Sequence, residues 1–425
     1  MWSAPATAAL VLFAGTILLV ALFERYRLPL VGGGAALAVG LGLVAPGRLV
    51  PSGWAATGSV VEWNALVLLA GLLLFAALLG SLEVPRYIAL RIAHGLAGSP
   101  QRIFVALAVL TFVLAMFLNA LAVVVILIPV SLEVARELKI NPLPFVLAEV
   151  LSANFGGTAT LIGNPPNLIL ASQFGLTFSG FFEYAALPAV AGFVVVLGWL
   201  ARRFPLSRAP GADPISPPPR LDRPHVAVAV GGFATMIVLL AEAGPLGLPL
   251  WAIGVGGALA ALAIAGTRFA RGMLADFDGS TLLFLLGLFV IVGALEDTGV
   301  IRSLADGIVS TGISDPLELG LLLLGGLGVL SALVDNIPLA AVAGPLIANV
   351  AAATGVSPAP LAYATVLGLG AGGNGTPIGA ISNVTALASA ERAGIRIGWR
   401  TYLREGIPIM LLGLAAVGAV WLLVG

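Results

Sequence analysis

The chain has 425 residues, 60% of them hydrophobic and 9% charged, with 54 glycines, against roughly 25% charge and about 7% glycine in a soluble domain. It contains no cysteine, which excludes disulfides, thiolate metal sites and a cysteine nucleophile. Twenty Lys and Arg balance twenty Asp and Glu, so there is no basic excess to suggest nucleic acid.

Taken in chain order, the sequence offers apolar runs at 6–23, 29–46, 64–82, 145–172 and 185–201, then at 226–243, 247–266, 281–297, 359–389 and 405–424. Each approaches the ~20 residues that cross a hydrocarbon layer, where only helices and closed barrels satisfy their own backbone. The first run has no Lys or Arg before it and is followed by Glu24-Arg25, so it reads as a retained span rather than a signal peptide. Two further stretches, 103–130 and 317–347, have polar centres at Asn119 and at Asp335-Asn336. Halved, each gives arms of about 20 Å at 1.5 Å per residue. Both read as re-entrant hairpins.

The sequence matches itself at an offset of 216 residues: Glu62 falls on Asp278, Gly71 on Gly287, Asn119 on Asp335, Gly163 on Gly379 and Asn167 on Asn383. Residues 1–207 form the first copy, 225–425 the second, and the proline-rich stretch 208–224 is a linker. With five spans per copy and the N-terminus outside, 18 of the 20 Lys and Arg lie in the cytoplasm, leaving Arg48 and Arg302 outside. An odd span count inverts the copies and puts both termini outside and the linker in the cytoplasm. The expected fold is an all-α polytopic membrane protein of two inverted repeats, each with five helices and one hairpin.

Both copies break a span at the same place, NFGGTATLIGNPPN at 154–167 and GAGGNGTPIGAISN at 370–383. Irregular backbone at that depth is tolerated only when buried in protein or lining a cavity, and paired breaks in inverted repeats are where such proteins bind substrate and ions. Hairpin tips and breaks should meet, gathering Asn119, Asn154, Thr158, Thr160, Asn336, Asn374 and Thr376 into a binding site of neutral groups. No Lys or Arg lies in a span. Asn164 and Asn167 are candidates for capping the helix after the first break. Two carboxylates sit at membrane depth. Asp335 is the preferred proton carrier, its alternative a structural acid on the tip amides; Glu149 is either a second relay or a packing acid. His94 and His225 read as solvated loop residues. No group of residues suggests a metal, a cofactor or an enzymatic centre, and duplicated breaks suit alternating access better than a continuous channel.

The runs FVLAEVLSANFGGTATLIGNPPNLILAS (145–172), TLLFLLGLFVIVGALEDTG (281–299), SALVDNIP (331–338) and GAGGNGTPIGAISNV (370–384) resemble the ion transporter superfamily, in its arsenite permease and sodium/proton antiporter branch. The resemblance covers nearly the whole chain. It implies a homodimer in the inner membrane, with a scaffold and a mobile part of hairpins and broken helices that moves as an elevator, and it leaves room for a soluble ATPase partner. Relatives resembling dicarboxylate carriers carry Ser-Asn-Thr at both tips, whereas these tips read Leu118-Asn119-Ala120 and Asp335-Asn336-Ile337. Many relatives also have Asp-Asn at the first tip, where Asn119-Ala120 lacks the acid. The expected activity is export of arsenite or antimonite, as uncharged trihydroxides, in exchange for protons. Sodium/proton antiport and anion carriage are the alternatives.

Overall fold

The computed structural model describes residues 2–50, 59–97, 99–207 and 213–424. Every regular element among the described residues is helical. The first copy comprises α1 (Ala4–Leu22), α2 (Arg27–Gly40), α3 (Trp63–Ser81), α4 (Val84–Gly95), α5 (Pro100–Phe117), α6 (Ala120–Glu137), α7 (Leu143–Thr158), α8 (Pro165–Phe174), α9 (Phe178–Phe181) and α10 (Leu187–Arg203). A π-helical turn, Phe182–Ala186, joins α9 to α10. The second copy comprises α11 (Arg223–Ala241), α12 (Ala243–Leu246), α13 (Leu250–Asp276), α14 (Gly279–Asp297), α15 (Val300–Val309), α16 (Pro316–Ser331), α17 (Asn336–Thr354), α18 (Pro358–Gly372), α19 (Ile381–Arg392) and α20 (Trp399–Val424). Nine spans among the described residues, counting α9–α10 as one, are long and apolar enough to cross a membrane.

The duplication is visible element by element. Helix α3 begins at Trp63 and α14 at Gly279; α6 begins at Ala120 and α17 at Asn336; α8 begins at Pro165 and α19 at Ile381, each 216 residues on. Packing is reciprocal as well: α3 lies along α13 while α14 lies along α2, and α6 touches α19 while α17 touches α8. The two copies therefore pack on each other reciprocally, beside the packing of α5 on α7 and of α16 on α18 within each copy.

Close helix crossings explain part of the glycine content. A Cβ on Gly156 would sit 2.2 Å from the Phe112 carbonyl oxygen, and one on Gly372 would sit 1.8 Å from that of Gly328, the equivalent pair in the second copy. These contacts bring α5 against α7 and α16 against α18 at backbone distance, the approach small residues permit in membrane helices.

The hairpin arms are longer than the expected stretches 103–130 and 317–347. Arms α5 and α6 have 18 residues each, and α16 and α17 have 16 and 19, or about 24 to 29 Å at 1.5 Å per residue. The first arm reaches back to Pro100 and the second on to Glu137, beyond Glu133 and Arg136, where charge interrupts the hydropathy while the helix continues. Arg136 donates to the Ala393 carbonyl beyond α19 at 3.3 Å.

Residues 208–212 of the expected linker lie outside the described residues. The remainder is tethered to α6: the Asp213 N–H donates to the Glu137 carbonyl at 2.8 Å, and the Ser216 N–H donates to the Glu137 carboxylate. Ion pairs also tie the copies together. Arg48 meets Glu296 and Asp297 at the end of α14, and Arg203 on α10 meets the buried Glu405 of α20 at 3.3 Å.

Candidate functional site

The two hairpin tips are built alike. Asn119 ends the turn between α5 and α6 and its Oδ1 accepts the Leu121 N–H at 2.9 Å; Asp335 does the same for the Ile337 N–H at 2.9 Å. Each residue thus caps the second arm of its hairpin. Each break is then clamped to the adjoining hairpin. The Thr160 hydroxyl donates to the Met116 carbonyl, the Thr376 hydroxyl donates to the Ala332 carbonyl, and the Ala120 N–H donates to the Gly163 carbonyl at 3.1 Å.

Within each break an asparagine ties the chain back on itself. Asn167 donates from Nδ2 to the carbonyls of Gly157 (2.8 Å) and Thr160 (2.5 Å), and Asn383 donates to those of Gly373 (2.7 Å) and Thr376 (2.9 Å). These bonds satisfy carbonyls that the interrupted helices leave free. Asn164 occupies the position before α8 but makes no capping bond there. Its side chain faces a central cavity instead.

That cavity, of about 30 Å³, is lined by Asn119, Asn154, Asn164, Thr281, Asn336 and Ser382, together with the apolar residues Ala120, Leu121, Pro165, Ile337, Ala380 and Ile381. Both tips, both breaks and α14 contribute. Of the residues expected to gather, Asn119, Asn154 and Asn336 line it. Asn374 lies one bond away: Asn154 Nδ2 donates to Asn374 Oδ1 (2.9 Å) and to Asn383 Oδ1 (3.0 Å), and the Ser382 hydroxyl donates to Asn154 Oδ1 (2.8 Å). Thr158 donates to the Phe155 carbonyl at 2.8 Å, in its own helix. The hydroxyls of Thr158, Thr160 and Thr376 are therefore engaged with backbone.

Two wider cavities reach the tips. One, of about 530 Å³, lies between α1, α14, α19 and the second tip; Glu24, Arg27, Phe284, Asp335, Ile381 and Trp399 are among its walls. The other, of about 350 Å³, is bounded by Asn119, Leu121, Ala122, Gly80, Asp276 and Asp278. Arg27 in the first is 3.7 Å from Asp278 in the second. Glu149 sits apart from these walls, buried in α7, where it accepts from the hydroxyls of Ser131 (2.6 Å) and Thr111.

Several residues escaped the reading of the sequence. Ser382 and Thr281 lie inside quoted motifs without having been singled out. Glu24 and Arg27 look in the sequence like ordinary topology charges, and only the fold brings them against the second tip.

The family model for citrate transporters matches residues 18–368. The chain belongs to the citrate transporter family. An uncharacterized transporter of Mycobacterium tuberculosis is 32% identical over 364 residues, covering 84% of both chains. The magnetosome protein MamN of Magnetospirillum gryphiswaldense is 30% identical over 375 residues, covering 82% of this chain and 84% of its own. In structure, the chain is similar to the YdaH transporter of Alcanivorax borkumensis, with a TM-score of 0.56, 16% identity and 84% of each chain covered. This citrate transporter family member is thus a multi-pass membrane transporter; the arsenite permease branch that its motifs resemble is a finer assignment than the match carries.

Proposed function

We propose that the chain is a secondary active transporter of the inner membrane that exports arsenite or antimonite, as neutral trihydroxides, in exchange for protons. The carrying observation is the central cavity, to which both copies bring amides and hydroxyls set among apolar side chains, with Asp335 at the tip beside it. A small uncharged polyol needs donors and acceptors and no fixed counter-charge. A single titratable group at the tip suffices to couple its movement to a proton.

At about 30 Å³ the cavity holds roughly one water. Substrate therefore requires the tips to part from α14, or binds first in the 530 Å³ cavity against Asp335. Both routes fit a mobile unit of hairpins and broken helices, since the clamps from Thr160 and Thr376 make each tip and break one body. The proposal has that unit alternate its access within a homodimer.

A second reading, carriage of a citrate-like anion, is favoured by the family match and by a cavity of suitable volume. It is the weaker one because both guanidinium groups in that cavity already face carboxylates, Arg27 facing Asp278 and Arg396 facing Glu391, each at 3.7 Å.

The test is uptake into everted vesicles energised with a proton gradient, with arsenite, citrate and Na⁺ compared. Arsenite accumulation that collapses with an uncoupler and in Asp335→Asn supports the proposal. Asparagine preserves the cap on α17, so this variant should fold. Arsenite inert while Na⁺ releases protons, or while citrate is driven, overturns the substrate assignment. Asp335→Asn with undiminished accumulation overturns the coupling role.

A further inference from the structure

The two copies repeat in sequence but not in posture. In the first, α8 lies on α3, and its Leu168 and Ala171 are buried. The same positions in the second copy, Val384 and Leu387 of α19, line the 530 Å³ cavity together with Phe284 of α14, and Ala388 beside them is exposed. That cavity reaches solution at Glu391 and Arg396, whose side chains are largely exposed, on the face expected to be cytoplasmic. Equivalent half-helices are thus closed on their scaffold helix in one copy and apart from it in the other. This is the asymmetry by which an inverted repeat presents its site to one side of the membrane at a time.

The closed side carries a bond that the open side lacks. The Ser172 hydroxyl on α8 donates to the Glu62 carboxylate, at the start of α3, at 2.8 Å. No Lys or Arg pairs with Glu62 among the described residues; Arg48 meets Glu296 and Asp297 instead. The bond joins a broken helix of the mobile unit to a scaffold helix. In the second copy Glu62 has Asp278 as its counterpart and Ser172 has Ala388. Asp278 is occupied by the hydroxyls of Ser280 and Thr281 and faces Arg27, and an alanine brings it no donor.

We propose that Ser172 and Glu62 form a one-sided latch that holds α8 on α3 and keeps that side of the transporter closed at rest, and that the opposite state, with α19 closed on α14 and α8 released, has no latch of its own. This latch needs only the movement of the hairpin and broken-helix unit proposed above, whatever the substrate. A hydroxyl-to-carboxylate bond shifts an equilibrium by roughly tenfold or more, and an interaction made in one of two states moves the balance toward that state. The resting protein therefore waits with its site open to the face of Glu391 and Arg396. Ser172 and Glu62 are positioning residues and touch no substrate.

The chain has no cysteine, so single cysteines report the two sides without background. Leu168→Cys marks the closed side and Ala388→Cys the open side. Each is placed in the otherwise native chain and in Ser172→Ala, Glu62→Ala, their double variant and Ser172→Thr, and labelling by a membrane-impermeant maleimide is timed in vesicles of both orientations. Ser172→Ala and Glu62→Ala should each label Leu168→Cys roughly tenfold faster, while Ala388→Cys labels no faster than before, because one side opens at the expense of the other. The double variant should go no further than either single one, as a shared interaction requires. Ser172→Thr, which keeps the hydroxyl, should stay within about threefold of the native rate. Unchanged labelling of Leu168→Cys in both alanine variants overturns the latch. So do additive gains in the double variant, or faster labelling at both cysteines, which is loosening rather than exchange. A Leu168→Cys that labels in no background overturns the movement of the unit itself, and does so whichever substrate is carried.

Discussion

The two breaks share a framework and differ in what they add to it. Asn167 and Asn383 each donate to two carbonyls of their own break, Thr160 and Thr376 each clamp the end of a hairpin arm, and Asn119 and Asp335 each cap the returning arm. What does not repeat is the central chemistry. Asn154 has Gly370 as its counterpart, Asn374 has Thr158, Ser382 has Pro166, and Asp335 has Asn119. Consequently Asn383 Oδ1 accepts from Asn154, whereas Asn167 Oδ1 is buried without a partner. Polar groups that repeat build the broken helices, and those that do not repeat line or adjoin the central cavity.

That division is most severely tested where backbones touch. Gly156→Ala and Gly372→Ala each place a methyl group on a carbonyl oxygen of the neighbouring arm, an overpacking that costs on the order of 3 kcal/mol or more. Both should abolish folded protein, measured as monodisperse yield after solubilisation. Survival of one with loss of the other would show that the copies do not carry equal structural weight.

A smaller and more selective effect is expected from the paired asparagines. Asn167→Ala and Asn383→Ala each unpair one buried carbonyl, that of Gly157 or Gly373, at about 1–3 kcal/mol, while the Thr160 and Thr376 carbonyls keep the N–H groups of Gly163 and Gly379. Their thermal midpoints should drop by similar amounts. Transport should not follow suit: Asn383→Ala also removes an acceptor from Asn154 and should lose at least roughly tenfold more activity than Asn167→Ala, or about 1.4 kcal/mol. Equal transport losses would make the Asn154 network architecture rather than site.

Much of this was legible in the sequence because it is written twice. The offset of 216 residues, the glycine and asparagine positions of the breaks and the polar tips carry directly into matching helix boundaries. The arm lengths were underestimated because Glu133, Arg136 and Glu137 lower the hydropathy of a helix that continues through them. Asn164 and Asn167 stand three residues apart in one motif, yet one lines the cavity and the other clamps the break. No residue-type argument separates them, since it is the direction of each side chain that differs. Arg27 was hidden for another reason: a basic residue after a first span satisfies the positive-inside rule, and its neighbour Asp278 lies 251 positions away.

Glu149 marks the finest point of the comparison, because it breaks the repeat without joining the cavities. Its counterpart is Thr365, whose buried hydroxyl has no partner. The Glu149 carboxylate accepts two hydroxyls from α5 and α6, Thr111 and Ser131, and so fastens the first hairpin to the α7 half of its broken helix. A glutamine in its place keeps the shape and one carbonyl acceptor, and its amide donates to whichever hydroxyl rotates to receive it. If that fastening is the role of Glu149, then Glu149→Gln should fold, transport within about twofold of wild type and retain the wild-type pH dependence of exchange, since a difference that small is under 0.5 kcal/mol. A second proton relay would behave otherwise: Glu149→Gln would lose proton-driven accumulation as Asp335→Asn does while keeping its yield. Such a result would place a coupling acid in each copy, one at a tip and one behind it, and the transporter would move protons through both halves of a duplication that otherwise divides structure from chemistry.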